Sequence, residues 1–287
     1  MKNRKFRDYK PDAANWITLA SGEFYPDILT DACKLYRPVL EIFGQLLKTS
    51  ESSTRLFLEI ADIKEQWMRI QLSRVFRKYV SPNIPVEMLK KKSKAIWICD
   101  TFGKHFRPVN EIQKAFDSRL IPDEALCAIL WEYKDRGTKG YDMTEKMFAL
   151  LRANFPQYEI MGPERAGRDI LLGEVFKNYT KPDRPVDFII RKNKAILAVG
   201  LARYDSDRGG AQEDDRTGGY SNASREILEY AKNNKLKTKV IFVNDGPGLL
   251  LGSMWDDYSS LEESSKNIIV ATLRMLTERI TEGWLSK

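Results

Sequence analysis

The side chains best placed by type and spacing to do chemistry are carboxylates. Asp187 lies between Val186 and Phe188 at the start of an apolar, strand-like run, and Glu145 lies on a helix-like stretch three residues after Asp142. Further along, RYDSDRGGAQEDDRTGGY (203–220) mixes Asp205, Asp207, Glu213, Asp214 and Asp215 with Arg203, Arg208, Gln212 and Arg216. Carboxylate oxygens are the natural ligands of hard divalent cations such as Mg²⁺. A cation held in this way polarises phosphoryl oxygens and activates water. Imidazole and thiol chemistry is poorly supplied. His105 is the only histidine, so a triad or zincin site would lack a second imidazole, and it reads as a surface or DNA-facing residue. Cys33, Cys99 and Cys127 are widely spaced and form no CxxC pair, which argues against a disulfide framework and a cysteine zinc site. GPGLLLG (246–252) lacks the lysine followed by Ser or Thr of a phosphate loop, so no nucleotide cofactor is expected.

The chain of 287 residues carries 47 Lys and Arg against 40 Asp and Glu, a net charge of +7, with 43% apolar and 30% charged residues. That is a globular composition, long enough for one large or two modest domains. No apolar run approaches the roughly 18 residues of a membrane span, so no membrane partner is expected. The basic start MKNRKFRDYKPD is followed by no apolar stretch or cleavage site, and a cytoplasmic location is the expectation. The excess positive charge is compatible with a polyanion but decides nothing alone. Its densest runs, LKKKSK (89–94) and KHFR (104–107), fit either a phosphate-tracking surface or a solvated turn.

The elements that must position the acids come in two textures. Up to about residue 134, helical periodicity dominates, over 26–48, 53–80, 108–116 and 122–134, with a proline break at 81–88. No cap decides whether 53–80 is one helix or two. After that, a helix is predicted over 141–156 with Asp142 as N-cap and Glu145 at capping-box spacing. An extended YEIMG (158–162) follows, then strands at 186–191 and 195–204, a helix at 222–234, strands at 238–245 and 267–273, and a final helix at 277–284. The three residues between the first two clear strands permit an antiparallel hairpin, and the later strand-helix-strand order suggests a mixed sheet.

Over residues 133–287 this order resembles the type II restriction endonucleases of the PD-(D/E)XK superfamily. The resemblance rests on the helix with Glu145, the VDF hairpin with Asp187, the strand after it, and VNDGPG (243–248). It implies an α/β fold: an N-terminal helical region (1–132) for DNA clasping or dimerisation, and a restriction-endonuclease-like core (133–287), a mixed β-sheet flanked by helices. It also implies Mg²⁺-dependent, site-specific cleavage of double-stranded DNA by a homodimer, with Asp187 as the first metal-binding acid and Glu145 as the helix acid. Where the family carries E-x-K, this chain reads Gly200, Leu201, Ala202. Either the ligand has moved to Asp205 or Asp207, the favoured reading, or the chain is an inactive DNA-binding variant, or the register differs. By position, the 203–220 run would lie along DNA, with Arg203, Arg208 and Arg216 suited to guanine, Gln212 to adenine, and Glu213 and Asp214 to cytosine. Glu174 and Asp169 stay open as further ligands or surface acids. A partner-binding protein with incidental charge is the remaining alternative.

Overall fold

The computed structural model of the chain describes residues 4–20, 22–132, 134, 138–165, 167–205 and 211–286, the side chains of 138, 139 and 211–217 excepted. Two compact units emerge, Gly22–Arg136 and Met1–Ser21 together with Gly137–Lys287. The first 21 residues therefore group with the C-terminal half, not with the helical region expected over 1–132. The reason is packing. Phe6 stacks on Trp255 with ring centroids 4.4 Å apart, and its N–H donates to Glu262 Oε1 at 2.9 Å. The segment Phe6–Asn15 forms 3₁₀ turns that bury Phe6, Tyr9 and Ala13.

The helical unit holds α1 (Leu29–Thr49), α2 (Ser53–Asp62), α3 (Gln66–Tyr79), α4 (Ala95–Phe102), α5 (Val109–Asp117) and α6 (Glu124–Trp131). The apolar pattern over 53–80 is two helices. Ser52 caps the first by accepting from Arg55 N, and the Glu65 carboxylate caps the second by accepting from Trp67 N and Met68 N. A glutamate cap is an uncommon start signal, because Ser, Thr, Asp and Asn dominate that position. Phe43, Phe57 and Phe76 fill the centre of this unit.

The second unit begins, after the 3₁₀ segment, with α7 (Thr138–Asn154), which starts before Asp142. Asp142 is thus inside the helix, and the expected capping box does not form. The strands are β1 (Glu159–Met161), β2 (Ile170–Leu171), β3 (Pro185–Val186), β4 (Phe188–Lys192), β5 (Ala195–Tyr204), β6 (Lys239–Asp245) and β7 (Ile268–Ala271). Helix α8 (Ala211–Asn233) joins β5 to β6, and α9 (Met254–Glu263) joins β6 to β7. Residues 211–220, read from sequence as loop, belong to α8; the expected final helix splits into the turns Leu276–Arg279 and Glu282–Ser286.

The main sheet runs β1-β4-β5-β6-β7, and β2 pairs with β3 in a small second sheet. The β1, β4 and β5 pairings are antiparallel, whereas β5, β6 and β7 are parallel. The fold is mixed α/β. All seven residues of β6 are buried, and its centre, Val240 to Val243, is apolar without a break, because a central parallel strand is covered on both faces.

Two local constraints set the register near the carboxyl ends of β5 and β6. Gly200 pairs with Phe188, and a Cβ added at Gly200 would lie 2.0 Å from Phe188 Cζ. The ring occupies the side-chain position, so any larger residue here would have to push the ring aside. At the end of β6, the buried Asp245 carboxylate accepts three backbone N–H groups, from Thr18 (2.6 Å), Gly246 (2.7 Å) and Leu273 (3.0 Å). Gly246 has φ +105°, and a Cβ there would lie 2.4 Å from Asp205 O.

Gly200→Ala is expected to lower the stability of this unit by about 1–3 kcal/mol, the usual cost of overpacking. Phe188→Leu in the same chain should recover part of it, as read by urea denaturation; full stability of the single variant would mean that the ring does not fill that space. Asp245→Asn should destabilise by a similar amount, although it is isosteric. An amide replaces one acceptor with a donor that would face a buried N–H, and each orphaned buried donor costs about 1–3 kcal/mol.

Candidate functional site

Asp187 sits at a bend between β3 and β4, where the chain leaves the small sheet for the large one. Its N–H donates to Gly200 O at 3.0 Å, and its Oδ2 accepts from Ala202 N at 2.7 Å. The two bonds pin the carboxylate against β5 at the place where the family resemblance implies E-x-K. The side chains there are no ligands: Gly200 is covered by Phe188, and Ala202 contributes its backbone N–H instead.

A second acid lies just before β2. Ile170 pairs with Val186, so Asp169 and Asp187 flank the next position of the antiparallel ladder. Like charges placed opposite each other across a ladder repel. Burial pushes the Asp187 carboxyl above the usual range, and the Asp169 charge adds to the rise; the Ala202 N–H bond and the Arg203 charge oppose it.

Arg203 leaves β5 on the face opposite Gly200, by strand alternation. Its Nε donates to Asp205 Oδ1 at 2.5 Å, and the nearby Tyr220 hydroxyl also favours its charged form. Asp205 is only 3% exposed. Its own N–H donates to Asp245 O at 2.8 Å, and its carbonyl accepts from Gly248 N at 2.9 Å. Tyr220 projects from α8 against Phe242, with centroids 5.1 Å apart. Burial pushes its pKa up, with the Asp187 and Asp205 charges adding and Arg203 opposing.

Beside Arg203 on β6 stands Asn244, its register partner. The carboxamide is wholly buried, and neither its oxygen nor its nitrogen has a hydrogen-bond partner among the described residues. Polar groups of this kind are usually satisfied, by protein groups or by ordered water.

The structure brings together Asp187, Arg203 and Asp205 of the residues singled out from sequence, and adds Asp169, Tyr220 and Asn244. The signal for these last three was weak: Asp169 was one open acid among several, and a tyrosine or asparagine at a strand or helix end carries no spacing pattern. Glu145 is placed differently. It forms a bidentate pair with Arg165, both bonds at 2.8 Å, on an exposed part of α7, and this pairing lowers its carboxyl pKa. No bond between Glu145 and Asp187 occurs among the described groups. Glu174 is exposed and paired with Arg168 at 2.6 Å, and His105 is exposed in the helical unit. Asp207 and Arg208 lie outside the described residues, as do the side chains of Gln212, Glu213, Asp214 and Arg216 at the start of α8.

Among the described residues no three acidic, histidine or cysteine side chains converge as a metal cage. The Asp169 and Asp187 pair nevertheless fits a hard cation, because Mg²⁺ is commonly held by one or two carboxylates with water and phosphate oxygens completing its octahedron. Two like charges that raise one another's cost of ionisation are the donor set such a cation relieves. No helix among the described residues is long and apolar enough to cross a membrane. Comparison with protein-family models, curated proteins and solved structures finds no match to this chain.

An acid whose pKa is higher folded than unfolded keeps its proton longer in the folded state. Stability therefore falls as pH rises from the ordinary aspartate range, about 4, through the folded value. Asp187→Asn keeps an oxygen for Ala202 N–H and removes the buried charge. It should unfold at higher urea than the parent, by an amount that grows from about pH 4 towards neutrality. A difference that does not vary with pH would show that burial of this charge is not what strains the site.

Proposed function

We propose that the chain is a divalent-metal-dependent endonuclease of double-stranded DNA, acting site-specifically as a homodimer, with Asp187 as its principal metal-holding side chain. The observation that carries this reading is the Asp187 carboxylate pinned to β5 beside a second acid, Asp169, with Arg203 braced by Asp205 alongside. The chain order of α7, the antiparallel β1-β4-β5 meander, α8 and the parallel β6 also agrees with the restriction-endonuclease resemblance.

In this reading Asp187 and Asp169 hold the cation, and Mg²⁺ when bound supplies Lewis-acid polarisation of the phosphoryl group and a lowered water pKa. Arg203 provides the positive charge that the E-x-K lysine supplies in the family. Its guanidinium suits phosphate oxygens, because the planar fork makes paired, charge-assisted bonds. The Asp205 carboxylate fixes its direction, so little side-chain freedom is lost when DNA arrives. Arg208, Gln212, Glu213, Asp214 and Arg216 are proposed to read the DNA, and Asp207 is the first candidate for an additional ligand. Glu145, held by Arg165, joins the site only if that pair opens. A second reading, a DNA-binding protein that does not cut, is favoured by Gly200 and Ala202, which put no ligand and no ammonium at their positions.

Incubation of unmethylated phage DNA with the protein and Mg²⁺ or Mn²⁺ should yield discrete fragments that vanish on chelation. Asp187→Ala should slow cleavage by at least about a hundredfold, the scale of losing several kcal/mol of metal-borne charge stabilisation. Mg²⁺ should also raise the melting temperature of the parent but not of the Asp169→Ala, Asp187→Ala double variant. Intact DNA that is retained in a binding assay would establish the second reading instead.

A further inference from the structure

The helical unit contains a short, strongly basic stretch. Residues 87–107 carry six Lys and Arg against two acids, Glu87 and Asp100, so 21 of the 287 residues hold +4 of the total +7. The six cations are Lys90, Lys91, Lys92, Lys94, Lys104 and Arg107. Three of them make ion pairs, Lys90 with Glu87, Lys92 with Asp62 at 3.4 Å, and Arg107 with Glu111 at 3.5 Å. All three pairs are exposed, and pairs of that kind contribute little and yield readily to a stronger anion. Lys91 and Lys104 have no ion-pair partner among the described residues.

Helix α4 crosses this basic stretch, and it is apolar on two sides. Ala95 and Ile98 are buried in the core of the unit. Ile96 and Trp97, which the core does not use, are 71% and 48% exposed. The Trp97 ring is held edge-on by Phe102 at 5.7 Å, and Lys94 Nζ lies 5.3 Å from its centroid. A run of lysines that serves only solubility has no need of an exposed tryptophan and isoleucine in its midst.

We infer that this face of the helical unit is a DNA-holding surface, its lysines following phosphates while Trp97 and Ile96 lie against sugars and base edges. This rests on the proposal that DNA is the substrate, and it assigns the grip to a place outside the Asp187 site. Charge complementarity names the partner: phosphates replace the condensed counterions of a polyanion. The apolar pair adds what a merely acidic peptide would not require, since stacking and wedge contacts to bases are made by side chains of this kind.

The test uses the full chain, a fluorescent duplex of about 30 base pairs, EDTA to prevent cleavage, and salt from about 50 to about 200 mM. Replacing Lys91, Lys92, Lys94 and Lys104 by Ala should flatten the plot of log affinity against log salt by about three to four units, because each phosphate contact contributes about 0.9. Trp97→Ala should weaken binding by about tenfold, and Trp97→Phe should restore most of it. All five positions are exposed or half-exposed, so unchanged melting temperatures are expected alongside. A parent that binds the duplex, with variants that bind equally well and with the same slope, would overturn this inference and leave the nuclease reading standing. Loss of binding in the variants of a chain that cuts no DNA in any metal would support the surface and overturn the nuclease.

Discussion

The carboxyl edge of the sheet hangs on one buried carboxylate. Asp245 accepts N–H groups from Thr18, Gly246 and Leu273, which belong to the N-terminal segment, the turn after β6 and the end of β7. Burial pushes its pKa up, and the three N–H bonds pull it back. The backbone of the same residue receives the Asp205 N–H, and Gly248 in turn bonds the Asp205 carbonyl. Asp205 is thereby aimed at Arg203, whose charge is felt by Asp187. The candidate site is thus the last link of a backbone network that closes only when the two ends of this unit have come together.

Strand β5 divides the work between its faces. Gly200 gives way to the Phe188 ring, and the ring packs edge-on to Phe148 of α7 with centroids 6.4 Å apart. Leu201 and Arg203 point the other way, towards Phe242 and Asn244, their register partners on β6. An acid at position 200 would therefore have had to displace a core aromatic ring. In this chain the glycine is a packing requirement, and chemistry at this edge must draw on Asp169, Asp187 and Arg203.

The helical unit solves a different problem. Its aromatic core, with Phe57 and Phe76 only 4.9 Å apart, is complete without the outer face of α4. The lysines around that face repel one another in the free protein, and such crowding is tolerable only where water and salt screen it. Stability and charge are carried by separate surfaces of the same short helices.

Much of the architecture was legible in the sequence because it is local. Strand β5 falls at 195–204, as its apolar run indicates, and β6 and the helices α1, α5 and α6 lie within a few residues of their patterns. Periodicity and prolines act over a few residues, so the mixed α/β character and the split in texture near residue 134 could be read directly. The break between α2 and α3 could not, since it depends on a glutamate cap, nor could the early starts of α7 and α8. Asp187 was visible as an acid in an apolar strand. Its partners were not, because the Ala202 bond, the Asp169 neighbour, the ring over Gly200 and the burial of Asn244 are set by register between segments distant in the chain. Tertiary structure alone decided them, through the pairing of strands and the closure of the N-terminal segment onto Asp245.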